Sequence, residues 1–256
     1  MAKAEFREPP LLIAFIADVH ANRQAFSACL EQARARGAER IVLLGDYVGY
    51  GANPEWAVRT AMDLVGKGAI AILGNHDCAV GDTNERMNPQ AQIVMEWTRG
   101  QLGPPERAFL AGLPLQARED DRLYVHAEAS APKRWLYVTS SEEAYRSLAA
   151  TDARLTFCGH THEPAIYSLS VMSKITAFCP VTDVPVPLFE RRRWLVVVGS
   201  AGQPRDGNPA ASFAMFDTER REITFRRAPY HVDAAAAAIR GNGLPECFAD
   251  RLYEGR

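Results

Sequence analysis

The chain has 256 residues, 47% of them hydrophobic and 23% charged, with a net charge of −2. That length suits a single domain over residues 11–256 with its own core, residues 1–10 forming an N-terminal extension. The near-neutral balance excludes a global basic surface of the kind that collects nucleic acid. Five scattered cysteines, odd in number and without a CxxC pair, exclude a disulfide framework and a zinc ribbon. The first apolar run is too short for a signal h-region or a membrane span, so a reduced, soluble, cytoplasmic protein is expected.

Residues 11–17 read LLIAFIA, a continuous apolar run that suits a strand buried on both faces and ends at Asp18. Residues 22–37 read as a helix, with Ala25, Phe26, Cys29, Leu30 and Ala33 on one face and Gly37 as its stop. The second strand, 41–44, ends in Gly45-Asp46. A helix over 54–65 follows, with Asn53 as N-cap and Pro54 at its first position. The third strand, 69–73, ends in Gly74-Asn75-His76-Asp77. This alternation predicts a parallel sheet with helices outside it. Residues 78–118 are helical and loop-rich, with helices over 91–98 and 105–111. Strands at 123–125 and 155–158 precede His126 and Gly159-His160. Beyond Ile166, short β runs at 174–178, 194–198, 212–216 and 222–225 predict a second sheet packed on the first. A helical tail is expected within residues 228–256.

Five strands therefore deliver polar residues just past their carboxyl ends, where α/β sheets build ligand sites: Asp18 and His20, then Asp46, then Asn75, His76 and Asp77, then His126, then His160 and His162. Of the six histidines only His231 lies outside this set. Singly, each piece has a harmless reading as a turn, a cap or a buried histidine. Their conjunction, each after a strand, points to a metal site. Imidazole with carboxylate and amide oxygen suits Mn, Fe, Co, Ni or Zn, whereas Mg and Ca prefer oxygen alone. Seven candidate ligands exceed one ion's needs and match two ions sharing a carboxylate.

The motifs Asp18-x-His20, Gly45-Asp46, Gly74-Asn75-His76-Asp77, His126 and Gly159-His160-x-His162 resemble those of the calcineurin-like metallophosphoesterase family. The run from Gly199 to Gly207, GSAGQPRDG, and those around Asp18-Val-His-Ala-Asn22 and Gly45–Gly51 resemble a small bacterial phosphodiesterase branch of it. The resemblance implies an α/β (α+β four-layer) fold, a two-sheet β-sandwich flanked by helices. It implies that Asp18, His20 and His162 hold one divalent ion, that Asn75, His126 and His160 hold a second, and that Asp46 bridges them. The ions are two divalent transition metals, Mn foremost, with Fe, Ni, Co or Zn possible. His76 is not a ligand in the family; it faces the phosphoryl group as general acid or transition-state donor, and Asp77 pairs with it to fix its tautomer. Activated water is the nucleophile in an in-line displacement.

Departures from relatives narrow the substrate. Tyr50 and Leu73 stand where protein phosphatases of this fold carry phosphate-clamping arginines, and Gly49 stands where purple acid phosphatases carry a tyrosine ligand. Within the bacterial branch, Ala17 and Ala21 replace the more usual serine and glycine, and Ala201 replaces valine. Asn22 and Arg205 are candidate substrate contacts, weighed against helix capping and a solvated loop. Tyr50 reads as packing, 191–193 as a solvated turn, and Asp82, Glu85 and Arg86 as part of a lid. The expected function is hydrolysis of phosphodiesters of small nucleotides or related esters, the partner being a small phosphoester substrate. The alternatives are a phosphomonoesterase or protein phosphatase, and a non-catalytic scaffold.

Overall fold

The computed structural model describes residues 10–83 and 87–256. The first half of the chain repeats strand and helix: β1 (Leu12–Ile16), α1 (Arg23–Ala35), β2 (Arg40–Leu43), α2 (Pro54–Gly66) and β3 (Ile70–Ala71). Crossover through helices lets the three strands pair in parallel. The face of α1 that the spacing picks out, Ala25, Phe26, Cys29, Leu30 and Ala33, is the face it buries. Three further helices follow, α3 (Asn75–Gly81), α4 (Pro89–Gln101) and α5 (Pro104–Ala111), the last two with proline in their first turn. The hairpin β4 (Gln116–Glu119) and β5 (Arg122–Val125) then leads through α6 (Ser141–Ala149) to β6 (Leu155–Cys158).

The remaining strands are β7 (Ala165–Ser170), β8 (Ile175–Phe178), β9 (Val186–Pro187), β10 (Arg192–Val197), β11 (Ala211–Asp217) and β12 (Glu222–Ala228). The helices α7 (Val232–Gly241) and α8 (Glu246–Glu254) complete the described chain. One sheet runs β3-β2-β1-β11-β12-β9 and the other β4-β5-β6-β10-β7-β8. The late strands thus do not all join the second sheet. β11 and β12 return to the first, β11 lying antiparallel to β1 and covering an edge that would otherwise be open. Residues 192 and 193, read as a solvated turn, are strand. The Arg193 guanidinium donates to the carbonyls of Leu148, Thr151 and Ala153, and Arg192 Nε donates to Ser168 Oγ at 2.9 Å.

The two sheets enclose a core in which Phe15 of β1 stacks on Phe157 of β6, ring centroids 4.0 Å apart. Burying one such ring stabilises the fold by about 1.5–3 kcal/mol. α1 and α2 cover the outer face of the first sheet, and α6 covers the second. The result is the four-layer sandwich that the resemblance implies. β1, β2 and β3 of one sheet, and β5 and β6 of the other, end beside one another, so their following loops share one mouth. Asp82 closes α3, while Glu85 and Arg86 of the expected lid lie outside the described residues.

Candidate active site

Three overlapping groups of buried side chains meet at that mouth: Asp18, His20 and His162; His20, Asp46 and His76; Asp46, His126 and His160. Within each group the candidate ligand atoms lie within 4.8 Å of one another. The loops holding them are bent hard. Asp18, His20, Ala21, Asp46, Tyr50, His160 and His162 all have positive φ, a region that costs a side chain about 1 kcal/mol or more. Glycine precedes Asp46, Asn75 and His160 for a steric reason. A Cβ on Gly74 would collide with the Asp46 carboxylate. One on Gly49 would collide with His76 Nδ1, so a ligand side chain at position 49 does not fit beside His76.

The ring nitrogens show what this cluster is built to hold. His20 Nδ1 lies 3.0 Å from the Val48 carbonyl and His126 Nδ1 lies 2.7 Å from that of Leu44. His162 Nδ1 lies 2.6 Å from the Gln203 carbonyl, and His160 Nε2 lies 2.8 Å from that of Trp135. A carbonyl only accepts, so each imidazole donates there and, when neutral, turns a lone pair into the cluster. Burial lowers the pKa of His20 and His162 and takes His160 down to about 3, which keeps them neutral. His126 Nε2 lies 3.1 Å from Asn75 Oδ1, while His20 Nε2 and His162 Nε2 face each other at 3.0 Å as two lone pairs. Such an arrangement is repulsive without a cation among the atoms. Imidazoles oriented by carbonyls through their second nitrogen are the usual support of metal-binding histidine.

The carboxylates complete the demand for positive charge. Burial pushes Asp18 up to about 8, although its oxygens accept the His160 N–H at 2.9 and 3.1 Å. Burial also disfavours charge on Asp46, but His126 and His76 outweigh it and hold that carboxyl below the usual range. Asp46 Oδ2 lies 3.7 Å from His20 Nε2 and 3.5 Å from His126 Nε2, between the two ends of the cluster. Burial alone would lower His126, yet Asp46 and Asp18 raise it to about 9. The residues present therefore fit a pair of divalent ions, with Asp46 as the carboxylate common to two of the three groups.

One sequence-based role changes. Asp77 does not pair with His76. Its carboxylate accepts the backbone N–H of Asp46 at 2.7 Å, Tyr47 at 2.8 Å and Gly74 at 3.0 Å, while His76 Nδ1 is buried without a hydrogen-bond partner. Two tight loops present more donors than backbone carbonyls can meet there, and the Asp77 carboxylate takes them up. Asp77→Asn should therefore cost about 3 kcal/mol by setting an amide N–H₂ against buried N–H donors, read as a lower urea midpoint. A variant of unchanged stability with only an altered pH–rate profile would restore the His76 pairing. Asn22 serves structure, as its capping reading requires. Its Oδ1 caps α1 by accepting from Ala25 N at 3.1 Å, and its Nδ2 donates to the Gly202 carbonyl at 2.9 Å.

Arg205 does reach the cleft over the cluster, which has an empty volume of about 450 Å³. Its guanidinium lies 5.9 Å from the centre of the Tyr50 ring. Tyr50 is packed between His20, His76 and Phe248 of α8, as its packing reading requires. Sequence reasoning missed Tyr137, which lines the same cleft and stacks on His160 at 4.3 Å with an interplanar angle of 16°. It also missed Trp135, whose carbonyl orients His160. An aromatic pair in the loop after the His126 strand was the available signal.

A buried imidazole–carboxylate cluster at the strand ends of a four-layer sandwich defines a metal-dependent hydrolase of phosphoric esters. Residues 11–221 match the calcineurin-like phosphoesterase superfamily domain. An uncharacterized protein of Methanocaldococcus jannaschii is 32% identical over 251 residues, 96% of this chain and 98% of the relative. A metallophosphoesterase from Sphaerobacter thermophilus has a crystal structure similar at a TM-score of 0.86 and 33% identity, covering 97% of this chain and 100% of that one. A hypothetical protein from Pyrococcus horikoshii OT3 shares the fold, with a TM-score of 0.78 at 18% identity over 96% of this chain and 98% of that one. The chain belongs to the calcineurin-like phosphoesterase superfamily, whose members use a dinuclear divalent metal centre. No helix among the described residues is long and apolar enough to cross a membrane.

Proposed function

We propose that this protein is a phosphodiesterase acting on small nucleotides or related diesters, with manganese the foremost candidate metal. Asp18, His20 and His162 would hold one ion, Asn75, His126 and His160 the other, with Asp46 shared. Two ions held there would activate water and neutralise charge on the phosphoryl oxygens. The protein's own share is to fix seven ligands in one buried geometry and to keep the imidazoles of His20, His160 and His162 neutral. It also sets His76 beside the reacting group. The cytoplasmic setting belongs to the same reading and is supported by the buried thiols Cys29 and Cys158, which form no disulfide.

The observation that carries diester over monoester is the charge of the cleft wall. Among the described residues lining it, Arg205 is the one permanent cation. A diester carries one negative charge and a monoester nearly two. The monoester therefore gains more from additional guanidinium donors, which the cleft lacks. With Mn, bis(4-nitrophenyl) phosphate should show a higher kcat/KM than 4-nitrophenyl phosphate. Arg205→Ala should lower monoester turnover about tenfold and diester turnover less, since one hydrogen bond to a charged group is at stake. A clear monoester preference in the wild type would reject the phosphodiesterase assignment.

A further inference from the structure

Tyr137 is the aromatic residue of the cleft whose ring is left open to solvent. One face lies parallel on His160, and the residue is nevertheless 49% exposed, so its exposure belongs to the opposite face and edge. Tyr50, the other ring on the cleft, is 9% exposed and enclosed by His20, His76 and Phe248. The Tyr137 backbone is pinned on both sides. Leu136 accepts from Glu128 N at 3.1 Å, Trp135 accepts from His160, and Val138 is buried. The ring is thus a rigid, half-wetted aromatic plate one ring spacing above a candidate metal ligand. Arg205 stands in the same cleft beside Tyr50.

We infer that the outer face of Tyr137 is the platform for a nucleobase, making Tyr137 a specificity-determining residue for nucleotide esters. The inference rests on the reading above for where the phosphate sits. With the phosphoryl group over the cluster, a base stacked on Tyr137 lies two ring spacings from His160, a gap that a ribose bridges. Stacking on a tyrosine face favours any aromatic base and gives nothing to an alkyl or bare sugar substituent. A plate that merely shields His160 would support metal binding equally for every substrate.

The test compares ligands that share the phosphate and differ in the base. Calorimetry on Mn-loaded protein should show AMP binding about tenfold or more tighter than ribose 5-phosphate. Tyr137→Phe should keep that ratio. Tyr137→Leu, which retains bulk over His160, should bring it to about one with metal content unchanged. Equal affinities in the wild type overturn the inference, as does a base preference that survives Tyr137→Leu. So does a variant that weakens both ligands alike or loses metal, because Tyr137 would then only support His160. The phosphodiesterase reading fails separately: a wild type that prefers monoesters refutes it and leaves the base preference standing.

Discussion

Asp46→Ala is expected to lose both metals and hydrolytic activity together. Wild-type protein reconstituted with Mn should carry about two ions per chain, the count of a dinuclear centre. In the variant, elemental analysis should find less than one. Asp46 Oδ2 lies within 3.7 Å of both His20 Nε2 and His126 Nε2, and Oδ1 accepts the His76 N–H at 2.8 Å. No other carboxylate of the cluster belongs to two of its groups. Removing it leaves the imidazole lone pairs facing one another with no negative charge between the two ends. It also frees a buried N–H. The kcat/KM should drop by about 10³ or more, which corresponds to about 4 kcal/mol of transition-state stabilisation. Retention of one ion with full activity would make the second site dispensable.

The site was legible because its chemistry is local. Each of the seven ligand-type residues sits one to four positions past an apolar strand, and the glycine before Asn75 is fixed by the Asp46 carboxylate that a Cβ would strike. The repeating first half of the fold was readable for the same reason, since α1 carries a clean apolar face. What failed to show had weaker local signals. β4, with the sequence QARE, is a polar edge strand with no apolar run. α6 was missed although Ser140 and Glu143 form a capping box visible in the sequence. α3 overlaps the Gly-Asn-His-Asp motif and is only seven residues long, too short for a helical period to emerge. The return of β11 to the first sheet is set by a long-range edge, about which its own residues are silent.

Side-chain roles were harder to read than ligand identity. Asp77 follows His76 directly, which suggests a pair, yet a helical turn carries its carboxylate toward the Gly45–Val48 loop instead. Arg193 looks solvated in a run of three arginines, but its strand position aims it at three carbonyls that close the end of α6 and the loop after it. Ala21 takes the place of the more usual glycine at φ 52. The chain therefore accepts strain beside His20 that a glycine would relieve. Tyr137 stood out only as half of an aromatic pair after the His126 strand, because its importance lies in the His160 ring it rests upon.

His76→Ala should keep both metals while kcat falls by about 10²–10⁴, the range for a positioned acid or base. His76 is buried at the floor of the cleft, edge-on to His20 at 4.9 Å and to Tyr50 at 4.5 Å. Burial lowers its pKa, with His126 and Arg205 acting in the same direction against Asp46. Unlike the four carbonyl-oriented imidazoles, it has no backbone partner on Nδ1, so nothing commits one ring nitrogen away from the cleft. That freedom suits a ring that moves a proton or donates to a developing charge. Its atoms also lie near enough to His20 and Asp46 to enter a metal group, which is the competing role. The leaving group separates donor from acid. If His76 protonates the departing oxygen, the loss should be large for an alkyl ester and small for 4-nitrophenyl esters, whose leaving group needs no proton. An equal loss for both would make it a transition-state donor, and loss of one Mn from His76→Ala would make it a ligand.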